Sequence, residues 1–126
     1  MTESSTSEVP RADWAFVLDG YGRRFDGWLV TVVSEPPGGP ARARASSIPL
    51  RGVTLGKDGA VSVLVGADPN RHASISTGPL TRVSLERSTA GPDRGETLEL
   101  ESEDRTVTRV RCETVFLAEE VDGLAG

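Results

Sequence analysis

The sequence predicts an α+β domain that is predominantly β: one N-terminal amphipathic helix packed on an antiparallel meander of about seven short strands, rolled or closed as a small barrel. Three observations predict it. A single stretch, Trp14 to Phe25, spaces its apolar residues for a helix. After it, short β-branched or period-two apolar runs follow one another to the end of the chain. Glycine and proline punctuate those runs, and no 20–50-residue repeat is visible that would signal a solenoid or propeller.

Residues 1–9 are rich in Ser, Thr and Glu and lack apolar periodicity, which predicts a disordered leader. Pro10 suits the first turn of a helix, where its missing N–H would be unpaired anyway. Trp14, Val17, Leu18 and Tyr21 then recur at helical spacing, with Phe25 extending the stripe. Gly20 and Gly22 are the expected helix terminators. Trp28-Leu29-Val30-Thr31-Val32-Val33 is apolar on both faces, as a central strand requires.

Pro36-Pro37-Gly38-Gly39-Pro40 cannot sit in a ladder and forms a loop. It lacks a Lys or a Ser/Thr after its glycines, so it is a spacer or recognition loop and not a phosphate cradle. Arg42 and Arg44 alternate with Ala43 and Ala45, as on a strand at a sheet margin. Ile48 to Leu55 and Val61 to Val65, joined by Gly56-Lys57-Asp58-Gly59, read as a hairpin. A short strand at Ala73–Ile75 is expected to break at Gly78-Pro79 before another at Val83–Leu85. Leu98 and Leu100 alternate with Thr97, Glu99 and Glu101, and a turn at Asp104 leads to Thr106–Val110 in a second hairpin. Val115 to Val121 fits either a strand extension or a helix. The domain is therefore expected over 10–117, with a C-terminal tail at 118–126.

At 126 residues the chain matches one domain. Cys112 is the sole cysteine, so no intramolecular disulfide forms, and the absence of a basic or apolar start argues against export. A cytoplasmic protein is expected. No apolar run approaches the roughly 20 residues that span a bilayer, which argues against a membrane role. The net charge of −5 repels phosphate backbones, and aromatics are 5% of the chain, so nucleic acid is not an expected partner. Lys57 is the only lysine among 14 basic residues, a bias of GC-rich, actinobacterial-type coding.

The order of signals resembles the uncharacterised bacterial domain-of-unknown-function family 5335. The resemblance is carried by Pro10-Arg11 with Trp14 and Leu18-Asp19, by Gly27-Trp28-Leu29-Val30-Thr31-Val32, and by Pro49-Leu50 with Gly52. Val83 following Pro79, and Leu98-Glu99-Leu100-Glu101-Ser102 ahead of Asp104, complete it. Together these cover most of residues 10–111. The chain departs at Asp104-Arg105, where the family carries Asp-Gly; a non-glycine there argues against a turn needing positive φ. It departs again at His72-Ala73-Ser74-Ile75, which has fewer histidines than the family pattern. The resemblance implies a soluble bacterial domain and supplies no reaction and no catalytic residues.

No residue set here forms a nucleophile, base and orienting group, and no catalytic, cofactor or metal residues are expected. One His and one Cys, His72 and Cys112, are too few for a zinc site without scattered carboxylates. Cys112 reads as a small core residue. Glu99, Glu101, Glu103 and Asp104 read as a solvated acidic face, and Trp14 and Trp28 as helix-on-sheet packing with a ligand groove as the alternative. Arg42 and Arg44 sit on one strand face, able to meet a carboxylate or phosphate, or else to keep a sheet margin soluble. The expected function is a non-enzymatic module binding a protein or small ligand, with Arg42, Arg44, His72, Trp14 and Trp28 as its candidate contacts. The alternative is a small enzyme built around His72 and strand carboxylates. The expected assembly is a monomer or a homodimer.

Overall fold

The computed structural model describes residues 4–68, 70–88 and 96–113. The elements are β1 (Ser4–Val9), a 3-10 turn (Arg11–Asp13), α1 (Trp14–Arg24), β2 (Leu29–Glu35), β3 (Arg42–Leu55), β4 (Ala60–Asp68), β5 (Arg71–Ser88), β6 (Glu96–Ser102) and β7 (Val107–Cys112). The strands are antiparallel and ordered β1-β5-β4-β3-β2-β7-β6, and a further β5–β6 pairing makes a ring of strands rather than an even barrel. The expected class is therefore the observed one: mostly antiparallel sheet with one short helix. No helix among the described residues is long and apolar enough to cross a membrane.

Two long strands make the ring possible. Arg42–Pro49 of β3 pair with β2, whereas Leu50–Leu55 pair with β4. In β5, Arg71–Pro79 pair with β4 and Leu80–Arg87 with β6. Register shifts at Leu50/Gly52, Ala60/Ser62 and Leu80/Arg82 mark the bends where one neighbour gives way to the next. The expected breaks around Pro49, Gly52 and Gly78-Pro79 are thus bends within continuous strands. Proline is tolerated there because bulges and edges leave backbone positions outside the ladder.

Of the expected disordered leader at 1–9, Ser4–Val9 instead form β1, in register with Val83–Ser88 of β5, and residues 1–3 lie outside the described residues. Its composition offers little to bury, but β6 covers only one edge of that part of β5, and the free ladder positions on the other edge accept β1. Val9 enters the core as its anchor. The tail at 118–126 and the ambiguous stretch Val115 to Val121 lie outside the described residues.

In α1, Trp14, Leu18, Tyr21 and Gly22 are buried, and Phe25 continues the stripe into the core. The helix runs through Gly20 and Gly22 and ends at Arg24 with Phe25 as its cap, and Gly27, at φ +87, lies in the turn that leads into β2. Gly22 instead permits close packing: a Cβ there would lie 2.8 Å from the Val53 nitrogen. Val30 and Val32 of β2 are fully buried and face Val110 of β7 and Leu98 and Leu100 of β6 in one core with Val61, Val63 and Val65 of β4. Each such side chain contributes about 1.5–3 kcal/mol by leaving water.

The β6–β7 turn overturns one expectation. Arg105 adopts φ 71 despite its side chain. The turn is held by Arg105 N–H donating to Ser102 O (2.8 Å), Ser102 N–H to Thr106 O (2.9 Å), and Thr106 N–H to Asp104 Oδ1 (3.0 Å). The Thr106 N–H bond in particular holds the Asp104 carboxyl below its ordinary pKa, and the turn closes with Arg105 in the left-handed region. Arg105→Gly should therefore raise stability by about 0.5–1 kcal/mol, the left-handed penalty less glycine's extra chain entropy. A urea midpoint equal to or below that of the wild type would contradict this account.

Candidate functional site

The Pro/Gly loop between β2 and β3 builds one wall of a groove. Gly39 N–H donates to Pro36 O at 3.2 Å, and Gly38 takes φ +74 at the third position of that turn. Pro37 at the second position and glycine at the third are the residues a type II turn demands. The turn presents Pro36, Gly39 and Pro40 beside Ser34, Arg42, Arg44 and Thr106 around an open surface groove of about 680 Å3. Ser34 is in register with both Arg42 and Thr108, and its Oγ lies 3.4 Å from Thr108 Oγ1. Prolines thus supply apolar walls, and two guanidinium groups supply the charge.

Two carboxylates near this groove in the sequence, Glu35 and Asp104, are engaged elsewhere. Glu35 accepts from Arg109 at 2.9 Å, and Glu99 accepts from the same guanidinium at 3.0 Å. Those two carboxylates raise the Arg109 pKa, the Glu35 hydrogen bond most strongly. Asp104 is turned into its own hairpin. Arg23, Arg24, Arg82, Arg87 and Arg109 all have acidic partners, whereas Arg42 and Arg44 are exposed and join no ion pair among the described residues.

The other three candidate contacts lie elsewhere. Trp14 is buried at the start of α1, its Nε1–H donating to Val9 O at 3.0 Å and its ring covered by the Arg11 guanidinium at 4.4 Å. Trp28 packs edge-on against Phe25 at 4.8 Å. His72 is exposed on β5, opposite Gly66 of β4. The structure therefore brings Arg42 and Arg44 together and leaves His72, Trp14 and Trp28 on other elements. Cys112 is inside, 3.1 Å from the Tyr21 hydroxyl, and its thiol is pushed up to about 11 by burial. It is a protonated thiol at neutral pH.

Sequence reasoning missed Ser34, Pro36, Pro40 and Thr106 as groove residues; only the recognition-loop reading of the prolines pointed toward them. It also missed a buried polar cluster under α1. Glu96, with its side chain 6% exposed, is clamped by Arg24 of α1 and by Arg87 of β5, the latter at 2.6 Å. The Tyr21 hydroxyl donates to the Glu96 carbonyl at 2.6 Å. Nothing in the local sequence marks Glu96, because its partners are distant along the chain. Every charge in the cluster has a partner, so it locks helix to sheet and leaves no group open to a substrate.

Fold and groove together define a small antiparallel β-ring domain with an arginine-lined surface cleft. Comparison with protein-family models, curated proteins and solved structures finds no match.

Proposed function

We propose that this chain is a non-enzymatic binding module that holds an anionic group of a protein or small ligand in the groove at Arg42 and Arg44. The observation that carries the reading is the pair of exposed, uncompensated guanidinium groups beside a preformed type II turn. Guanidinium forks bind carboxylate or phosphate bidentately, and a turn already in place adds little ordering cost on binding. The chain's net charge of −5 disfavours a long phosphate polyanion such as nucleic acid, so the ligand presents a few anionic groups to the arginine pair. The same reading takes the chain as a cytoplasmic bacterial domain of actinobacterial type akin to domain-of-unknown-function family 5335, on its single cysteine, its arginine excess and the five segments quoted above.

Titration with pyrophosphate, followed by amide chemical shifts, tests the reading. The expected result is movement confined to Ser34–Arg44 and Thr106. Arg42→Glu/Arg44→Glu should weaken binding at least about tenfold, since hydrogen bonds to charged groups are worth about 1.5–3 kcal/mol each. Shifts spread over the molecule, or affinity unaltered by the double reversal, would reject it.

A further inference from the structure

We infer that the N-terminal half of β3 is a strand-addition site for an extended acidic segment of a partner protein, a proposal that rests on the anion-binding reading of the adjoining groove. One edge of Arg42–Pro49 is taken by β2. The other would belong to β4, but β4 joins only at Leu50. Beyond that point β3 turns away, with Ser47 at φ 47. The Arg51 guanidinium takes over the end of β4, donating to Gly66 O at 3.0 Å and Ala67 O at 2.7 Å. Among the described residues no strand pairs with this second edge of Arg42–Pro49, so it offers a row of backbone donors and acceptors.

The edge is open to a strand. Its side chains between the arginines and Ile48 are small: Ala43, Ala45, Ser46 and Ser47. Its prolines, Pro40 and Pro49, lie outside that stretch. Arg42 and Arg44 both line the groove, and β3 carries an extra residue against β2 at Arg44 and another between Ala45 and Ile48, so this edge is bulged and not evenly repeating. An added strand brings carboxylates to both guanidinium groups across the Arg42–Arg44 step. A second copy of this chain offers the arginine pair no carboxylate: two-fold pairing of Arg42–Pro49 with itself sets Arg42 opposite Pro49 and Arg44 opposite Ser47. Charge thus selects an acidic partner over self-association.

The test uses the full chain and the peptide Thr-Glu-Val-Glu-Val-Glu-Thr, beside the same peptide with proline in place of its first valine. The charge is equal in both, but proline removes a ladder donor. The expected result is that the first peptide binds at least tenfold more tightly than the proline peptide, and that it slows amide exchange at Ala43–Ser46 of the wild-type chain. Arg42→Glu/Arg44→Glu, with unchanged near-UV circular dichroism, should lose that binding. Equal binding of both peptides, lost in the double variant, overturns strand addition while keeping the anion groove. Failure of both peptides and of pyrophosphate overturns the groove reading too. A dimer held by the wild-type edge and released by charge reversal also overturns the proposal.

Discussion

Replacing Tyr21 with alanine is expected to cost about 3–5 kcal/mol of folding free energy, the range for removing a fully buried aromatic ring. Tyr21 is 1% exposed, and its ring packs on Phe25 at 4.8 Å. Its hydroxyl donates to Glu96 O at 2.6 Å, with Val110 O at 3.2 Å and Cys112 Sγ at 3.1 Å completing its surroundings. One side chain thus ties α1 to the start of β6 and the end of β7. Tyr21→Phe separates ring from hydroxyl and should cost about 1–3 kcal/mol, since the partners left behind are buried. Equilibrium urea unfolding measures both, and a Phe variant as stable as wild type would remove the hydroxyl bridges from the account.

The same cluster gives a pH dependence. Burial raises the folded-state pKa of both Tyr21 and Cys112, the latter to about 11. The protonated forms are thus favoured in the folded chain, and their stabilising contribution is complete below the unfolded thiol pKa. It is lost as pH rises toward 11. The urea midpoint should fall over that alkaline window, and Cys112→Ala should flatten part of the fall.

Gly22→Ala and Gly20→Ala should move stability in opposite directions. Both positions lie within α1, where alanine gains about 0.5–1 kcal/mol over glycine. At Gly20 a Cβ meets nothing within 4 Å, so that gain should appear undiminished. At Gly22 a Cβ lies 2.8 Å from Val53 N and 3.3 Å from the Gly52 backbone. Backbone cannot rotate aside, so α1 must lift from β3, and overpacking of this kind costs about 1–3 kcal/mol. The net loss at Gly22 should be about 1–2 kcal/mol. Equal gains at both sites would show that helix and strand are not in the contact described.

What the sequence by itself determined is what short-range periodicity encodes. The stripe Trp14, Leu18, Tyr21 and Phe25 specifies a helix face, and Leu98 and Leu100 alternating with Thr97 and Glu99 specify a strand with one buried side, because side-chain direction repeats with the backbone. The pairing of Arg42 with Arg44 on one strand was legible for the same reason. Tertiary structure alone decided whether Pro49 and Pro79 end strands or bend them, because that depends on which neighbour occupies each edge. It decided that polar Ser4–Val9 join the sheet, since the driving force is a vacant edge on β5 and not anything those residues bury. It also decided that Glu96 is enclosed between Arg24 and Arg87, and that Ser34, Pro36 and Thr106 surround the two arginines. Such contacts join residues that no local repeat relates, Arg24 and Glu96 by 72 positions, and local patterns carry no record of them.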